Sequence, residues 1–330
     1  MESDERKGIS WKESRENNVI GIGVQTRNVV CDENPQEGFH MLKEAGFDCC
    51  DFSLNGYLKN TDIYKGKVNP LFNCSEKELE SFFSRHKESA RIEGVTIHQM
   101  HMPYPIFSPK TPAEMNEYLR KQVAVKSMQI CYFLGCRYIV VHGFKLARYL
   151  GSEELEWQET ASFLETILPM AKEYGITVCM ENLYESVSGH MEEGPGCDVV
   201  KAVQRIDDFN ERYGAEVLGF CFDAGHANLV GIDFEEFLTT LGSRLKVLHL
   251  HDNDGRTDLH QIPYTFARTG ENTTSVNWEG LIRGLKAIKF DGVLNFETAQ
   301  VLKAFPEEMK FEALQFIAKI GKYWRKELLV

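Results

Sequence analysis

Leu218-Gly219-Phe220-Cys221-Phe222-Asp223-Ala224-Gly225-His226 is the stretch on which the reading of this chain turns. From Val217 to Phe222 it is a continuous apolar run with no two-residue alternation. Such a run suits a strand covered on both faces, as in a parallel sheet wrapped by helices. Asp223 then falls at the strand's carboxyl end, where α/β folds collect their chemistry. Ala224-Gly225 allows a tight turn, and His226 comes back towards the same mouth. A plain helix N-cap at Asp223 is the alternative, and it involves no chemistry.

The same arrangement recurs along the chain. Strands are expected at Asn18 to Gln25, Phe47 to Leu54, Val95 to His101, Tyr138 to His142, Ile176 to Glu181, Val217 to Phe222, Leu245 to Leu250 and Val293 to Glu297. Helical patterns lie between them, at 35–45, 75–93, 111–134, 152–174, 197–213, 233–241 and 278–288, and a last one runs from about Pro306. Ser75 with Glu78 forms a capping box, and Gly46, Gly94, Gly135 and Gly175 each end a helix just before a strand. Alternating βα units argue for a parallel sheet, and this number of them for a closed (β/α)8 TIM barrel. A doubly wound open sheet is the competing architecture. It needs a glycine-rich phosphate loop after the first strand, and Gly21-Ile-Gly-Val-Gln-Thr26 does not supply one. No linker divides residues 18–330, which read as a single barrel domain. Residues 1–17 read as a polar, loosely ordered lead.

Composition narrows the function. The 330 residues are 43% hydrophobic and 26% charged, ordinary for a globular chain. No apolar run is long enough to span a bilayer, and the charged amino terminus is not expected to act as a signal peptide. A net charge of -12 repels a phosphate backbone and disfavours nucleic acid as a partner. The nine cysteines are scattered without paired CxxC spacing, which suggests reduced thiols and a cytoplasmic location.

In a barrel, all strand carboxyl ends meet at one mouth. His101, His142, Glu181, Asp223, His226, His249, His251, Asp252, Asp258, His260 and Glu297 fall there or in the adjoining loops. Of the ten histidines, seven occupy such positions, counting His98 just inside its strand. Imidazoles and carboxylates converging on one concave face are what a divalent metal site requires. A glutamate ending a buried apolar strand, as at Glu181 and Glu297, is costly unless paired or metal-bound. His98 reads as a barrel-wall residue, and Asp252 as either a loop cap or a ligand. Only one of His249 and His251 is expected to enter the mouth, His249 being preferred because it follows Val247 on the same face. Tyr104, Phe144, Tyr184 and Trp278 lie near strand ends and could stack on a ligand, or simply pack the rim.

The segments CMEN, FDAGH, LHLHDND, DLH and NFET, in this order on successive βα units, resemble the sugar isomerase/epimerase superfamily. Its barrel is similar to xylose isomerase and is related to endonuclease IV. The resemblance runs from about Ile20 to the last helix and implies one divalent ion (Mn, Mg, Co or Zn) held by Glu181, Asp223, His249 and Glu297. It also implies substrate contacts from His226 and Arg256, a carbohydrate substrate, and barrels that often pair into homo-oligomers. The nuclease branch implies up to three ions, with His101, His142, His226, Asp258 and His260 as additional ligands. The segment Ile262 to Trp278 is longer than in many isomerase-like members and lacks their paired glycines.

The expected chemistry is deprotonation and reprotonation next to a carbonyl, with Glu181 and Glu297 as the catalytic pair. The competing readings are a metal-dependent phosphodiesterase of the endonuclease IV type and a non-catalytic sugar-binding barrel.

Overall fold

The computed structural model describes residues 20–146, 152–267 and 273–330. The polar lead at 1–17 and the first residues of the expected opening strand lie outside the described residues. The strands are β1 (Gly21–Gln25), β2 (Cys49–Ser53), β3 (Thr96–His101), β4 (Tyr138–His142), β5 (Thr177–Glu181), β6 (Tyr184–Val187), β7 (His190–Glu193), β8 (Leu218–Asp223), β9 (Leu245–His249) and β10 (Val293–Phe296). Eight of them form one sheet in the order β10-β1-β2-β3-β4-β5-β8-β9, and every neighbouring pair is parallel. The last seam is closed just beyond β9. There the Leu250 N–H donates to the Asn295 carbonyl, and the Glu297 N–H donates to the Leu250 carbonyl. This is the TIM barrel expected from the βα rhythm.

Local chemistry explains why the elements begin and end where they do. The helix Glu76–Glu93 starts with a complete capping box, Ser75 and Glu78 exchanging side-chain and backbone hydrogen bonds. It stops at Gly94, whose φ of 66° is left-handed and suits glycine. The expected helix at 111–134 is interrupted. Ala113–Tyr118 and Ala124–Leu134 are joined through a π-helical turn at Leu119–Val123. The expected final helix is preceded by a short one, Ala299–Ala304, and itself runs over Lys310–Leu329.

Two further features differ from the turn-and-loop reading. The antiparallel hairpin β6–β7 rises from the end of β5, where a loop is expected. A short helix, Ala224–Val230, starts directly after Asp223, which follows the capping alternative and not the turn.

Inside the barrel, Tyr138, Val140, Cys179, Cys221 and Val247 form a small apolar layer separate from the main core. The main core lies between the outward strand faces and the helices, where Phe39, Phe83, Phe163, Phe220 and Phe296 are fully buried. Because side chains alternate, the next inward position on each strand stands one layer nearer the mouth. Those positions are Gln25, Asp51, His101, His142, Glu181, Asp223 and His249; Gln25 pairs with Asp51, His142 with Glu181 and Asp223 with His249, while the other neighbours are staggered by two residues.

Candidate metal centre

The inward positions at the carboxyl ends bring their donors within contact distance. Glu181, at the end of β5, lies at the centre. Its Oε1 is 3.3 Å from His249 Nδ1 and 3.3 Å from His226 Nδ1. Its Oε2 is 3.1 Å from His142 Nε2 and 3.4 Å from His101 Nε2. Glu297 Oε2 reaches His249 Nδ1 at 3.5 Å and His260 Nδ1 at 3.7 Å. Gln25 holds the other oxygen of Glu297, donating from Nε2 to Oε1 at 2.6 Å. Asp258 Oδ2 is 3.1 Å from His260 Nε2 and 3.5 Å from His226 Nε2.

Asp223 fulfils both readings of its position. Its Oδ1 caps the following helix by accepting the His226 N–H at 2.6 Å, while its Oδ2 faces His251 Nε2 at 3.1 Å. The expectation that His251 turns away from the mouth is therefore corrected. Residues two apart on an extended chain share a face, so His251 follows Val247 and His249 inwards. Its ring stacks on His260, with centroids 3.9 Å apart.

The imidazoles are oriented from outside. His101 Nδ1 meets the Met102 carbonyl at 2.7 Å, His226 Nδ1 the Asn182 carbonyl at 3.0 Å, and His260 Nδ1 the Glu297 carbonyl at 3.0 Å. Each of these nitrogens donates to its carbonyl, which leaves Nε2 as an acceptor aimed at a carboxylate. Two acceptors facing each other inside a buried cluster need a proton or a metal ion between them. This is the arrangement that metal-ligating histidines adopt. In keeping with it, Glu181 Oε2, His249 Nδ1, His251 Nδ1 and Asp258 Oδ1 are buried with no hydrogen-bond partner. Several triads have donor atoms within 4.8 Å of one another, among them His101–His142–Glu181, His101–His249–Glu297, Asp223–His226–His251 and His251–His260–Glu297. The nitrogen and carboxylate donors suit Zn, Mn or Co.

Electrostatics follow from this crowding. Burial pushes the Glu181 carboxyl up, yet His249 and His142 outweigh it and hold Glu181 well below the usual carboxylate range. Burial likewise opposes the charge on His226 and His249. Asp223 and Asp258 for the former, and Cys221, Glu297 and Glu181 for the latter, raise both well above the ordinary imidazole value. His260 is raised to about 9, Asp258 outweighing burial. His142 goes the other way: burial lowers it to about 4.

The remaining predicted residues divide. The Tyr104 ring stands 4.3 Å from the His142 ring, at the rim. Tyr184 stands 5.2 Å from His226, with the Lys145 ammonium 4.9 Å over its ring. Trp278 does not join the site. It packs against Trp324 at 4.9 Å between the last two long helices, outside the barrel wall. Arg256 is exposed, and its backbone N–H donates to Asp254 Oδ1. Phe144 is buried against Phe107 and Phe163. His98 lies deeper, beside Tyr138. Asp252 serves its loop, accepting from the Asn253 and Phe266 N–H groups.

Two further residues were not picked out from the sequence. Lys145, three past His142, donates to the Tyr184 carbonyl, and burial lowers its ammonium pKa. Asp51 is fully buried, with Oδ2 3.1 Å from His249 Nε2. An acid inside the apolar run Cys49-Cys-Asp-Phe-Ser53 carries the same signal that singled out Glu181.

A parallel eightfold barrel with imidazoles and carboxylates crowded at its carboxyl mouth defines a class of barrels with a candidate metal site. Residues 39–320 match the model of the xylose isomerase-like TIM barrel family, and the chain belongs to it. An uncharacterised protein of Methanocaldococcus jannaschii, MJ1311, is 31% identical over 208 residues, covering 60% of this chain and 64% of that protein, so the chain matches under two thirds of its length. The inosose isomerase of Bacillus velezensis is 24% identical over 212 residues, 61% of this chain and 68% of that enzyme. Among solved structures, 3-keto-D-glucoside 4-epimerase from E. coli superposes with a TM-score of 0.63 at 16% identity, covering 92% of this chain and 99% of that one. Among the described residues, no helix is long and apolar enough to cross a membrane.

Proposed function

We propose that this barrel is a metal-dependent isomerase or epimerase acting on a sugar, sugar phosphate or polyol derivative. The observation that carries the reading is the pairing of Glu181 and Glu297. They come from different strands and face the same nitrogen, His249 Nδ1, at 3.3 and 3.5 Å. Glu181, Asp223, His249 and Glu297 would hold the ion. When bound, it polarises a substrate carbonyl and makes the neighbouring C–H acidic.

The chain's own groups then divide the work. One glutamate removes the proton from the carbon beside the carbonyl, and the electron pair moves onto the carbonyl oxygen. The other returns a proton, to the opposite face of the same carbon in an epimerisation, or to the former carbonyl carbon in an isomerisation. In the isomerisation the neighbouring hydroxyl also passes its proton to the former carbonyl oxygen and becomes the new carbonyl. The Gln25 amide holds Glu297 Oε1, leaving Oε2 turned to the mouth. Tyr104 and Tyr184 provide a rim on which an apolar sugar face can rest. Similarity to an inosose isomerase and to a sugar epimerase supports this substrate class.

A second reading, an endonuclease IV-like phosphodiesterase, is favoured by the donors beyond the first four. His101 and His142 lie on the far oxygen of Glu181, and His226 and His260 flank Asp258. Those groups would suit two or three ions activating water. The net charge of -12 opposes a DNA duplex in that mouth.

Elemental mass spectrometry on protein purified without chelator separates the readings, followed by ketose and aldose turnover with Mn, Mg and Co. About one ion per chain with sugar turnover supports the isomerase. Two or three zinc ions with nicking of abasic DNA, and no sugar turnover, overturns it.

A further inference from the structure

We infer that Asp51 is a positioning residue that fixes the His249 ring so that Nδ1 is the donor atom offered to the ion; the inference rests on the metal-dependent reading above. Asp51 stands on β2 and His249 on β9, strands that are not neighbours in the sheet. The contact therefore crosses the barrel lumen. Asp51 Oδ2 lies 3.1 Å from His249 Nε2 and also accepts from Gln99 Nε2 at 3.3 Å.

A carboxylate oxygen only accepts, so His249 Nε2 must carry the hydrogen. A neutral imidazole then has its lone pair on Nδ1. That nitrogen points at Glu181 Oε1, Glu297 Oε2 and Asp223 Oδ2, at 3.3, 3.5 and 4.0 Å, and has no hydrogen-bond partner. The opposite tautomer would set two lone pairs against each other at 3.1 Å in a fully buried place.

His249 differs here from its companions. The outer nitrogens of His101, His226 and His260 meet backbone carbonyls, whereas that of His249 meets a side-chain carboxylate. A carboxylate partner fixes ring orientation and raises the basicity of the ligating nitrogen. The His101 ring, stacked 5.5 Å away at 16°, holds the ring plane. Stability alone does not account for Asp51, because its Oδ1 is buried without a partner and so carries an uncompensated desolvation cost.

The test uses Co2+ as probe on the full chain and the variants Asp51→Asn and Asp51→Ala. Chelator competition reads affinity, the visible Co2+ spectrum reads ligand geometry, and thermal unfolding of the metal-free proteins reads folding. The expected result is a loss of affinity of about 10- to 100-fold in Asp51→Ala, a smaller loss in Asp51→Asn, and a shifted Co2+ band in both. Both variants binding Co2+ within twofold of the parent, with unshifted bands, overturns the inference while leaving the metal reading intact. A parent protein that takes up no ion overturns both. Should neither variant fold, 15N NMR of the zinc-loaded parent decides. A protonated Nε2 with metal-bound Nδ1 on His249 supports the inference, and a metal-bound Nε2 overturns it.

Discussion

Asp223 Oδ2 lies 3.1 Å from His251 Nε2, across a gap that only a glycine at position 225 leaves open. A β-carbon on Gly225 would fall 1.9 Å from Cε1 and 2.4 Å from Nδ1 of His251. The glycine of the FDAGH segment is thus a seat for an imidazole, and no unusual backbone angle is involved. Gly225→Ala is expected to drive the His251 ring off Asp223 and to cost about 1–3 kcal/mol through overpacking. Thermal unfolding measures the cost. A crystal structure with the His251 ring unmoved would contradict the steric account.

Glu181→Gln and Glu297→Gln are each expected to abolish turnover, with a fall of about 100- to 10,000-fold for loss of a positioned proton-transfer group. The barrel should survive both, since glutamine fills the same volume. Circular dichroism checks the fold, and solvent deuterium exchange into substrate checks the proton transfer. An active Glu181→Gln protein would refute the assignment.

Metal uptake is expected to release protons. In the metal-free protein His226 and His249 are raised well above the ordinary imidazole value, and His260 to about 9, so at neutral pH these rings hold protons that a ligand must shed. Affinity should therefore rise with pH through and above neutrality. Titration calorimetry in buffers of differing ionisation enthalpy counts the protons. One ion on the Glu181–His249 side displaces the His249 proton, and filling the Asp258–His260 side displaces more.

Asp252 gives a pH dependence of another kind. Burial raises its carboxyl from the ordinary 3.8 to about 6, against the pull of the Phe266 and Asn253 N–H groups. A carboxyl raised on folding contributes stability that is fully present below about 3.8 and lost as the pH climbs through about 6. Asp252→Asn removes that titration. The melting temperature of the chelated variant should gain on the parent across this window and keep a constant lead above it. A lead that does not vary with pH would show that Asp252 does not titrate there.

The barrel was legible because its strands are short apolar runs and its helices begin at capping residues and end at glycines. The hairpin β6–β7 escaped because Tyr184-Glu-Ser-Val187 and His190-Met-Glu-Glu193 have no buried face to give a pattern. The helix after Asp223 was legible only as the capping alternative, because Asp-Ala-Gly-His also spells a turn. At the mouth, strand-end position was sufficient to place Glu181, Asp223, His249 and Glu297 among the residues that the structure brings together. It failed for Trp278, where the chain has already returned to the outside of the wall. Asp51 went unnoticed for a different reason. It lies in mid-strand, and its partner is 198 residues away, a pairing that no local pattern contains.

Glu181 gives one oxygen to His249 and His226 and the other to His142 and His101. The two sides of the mouth therefore share a single charge, and an ion held on one side would change the affinity of the other. A double-mutant cycle between His142 and His249 should be strongly non-additive although the two rings make no direct contact. A lineage that altered one side would retune the other with the same substitution.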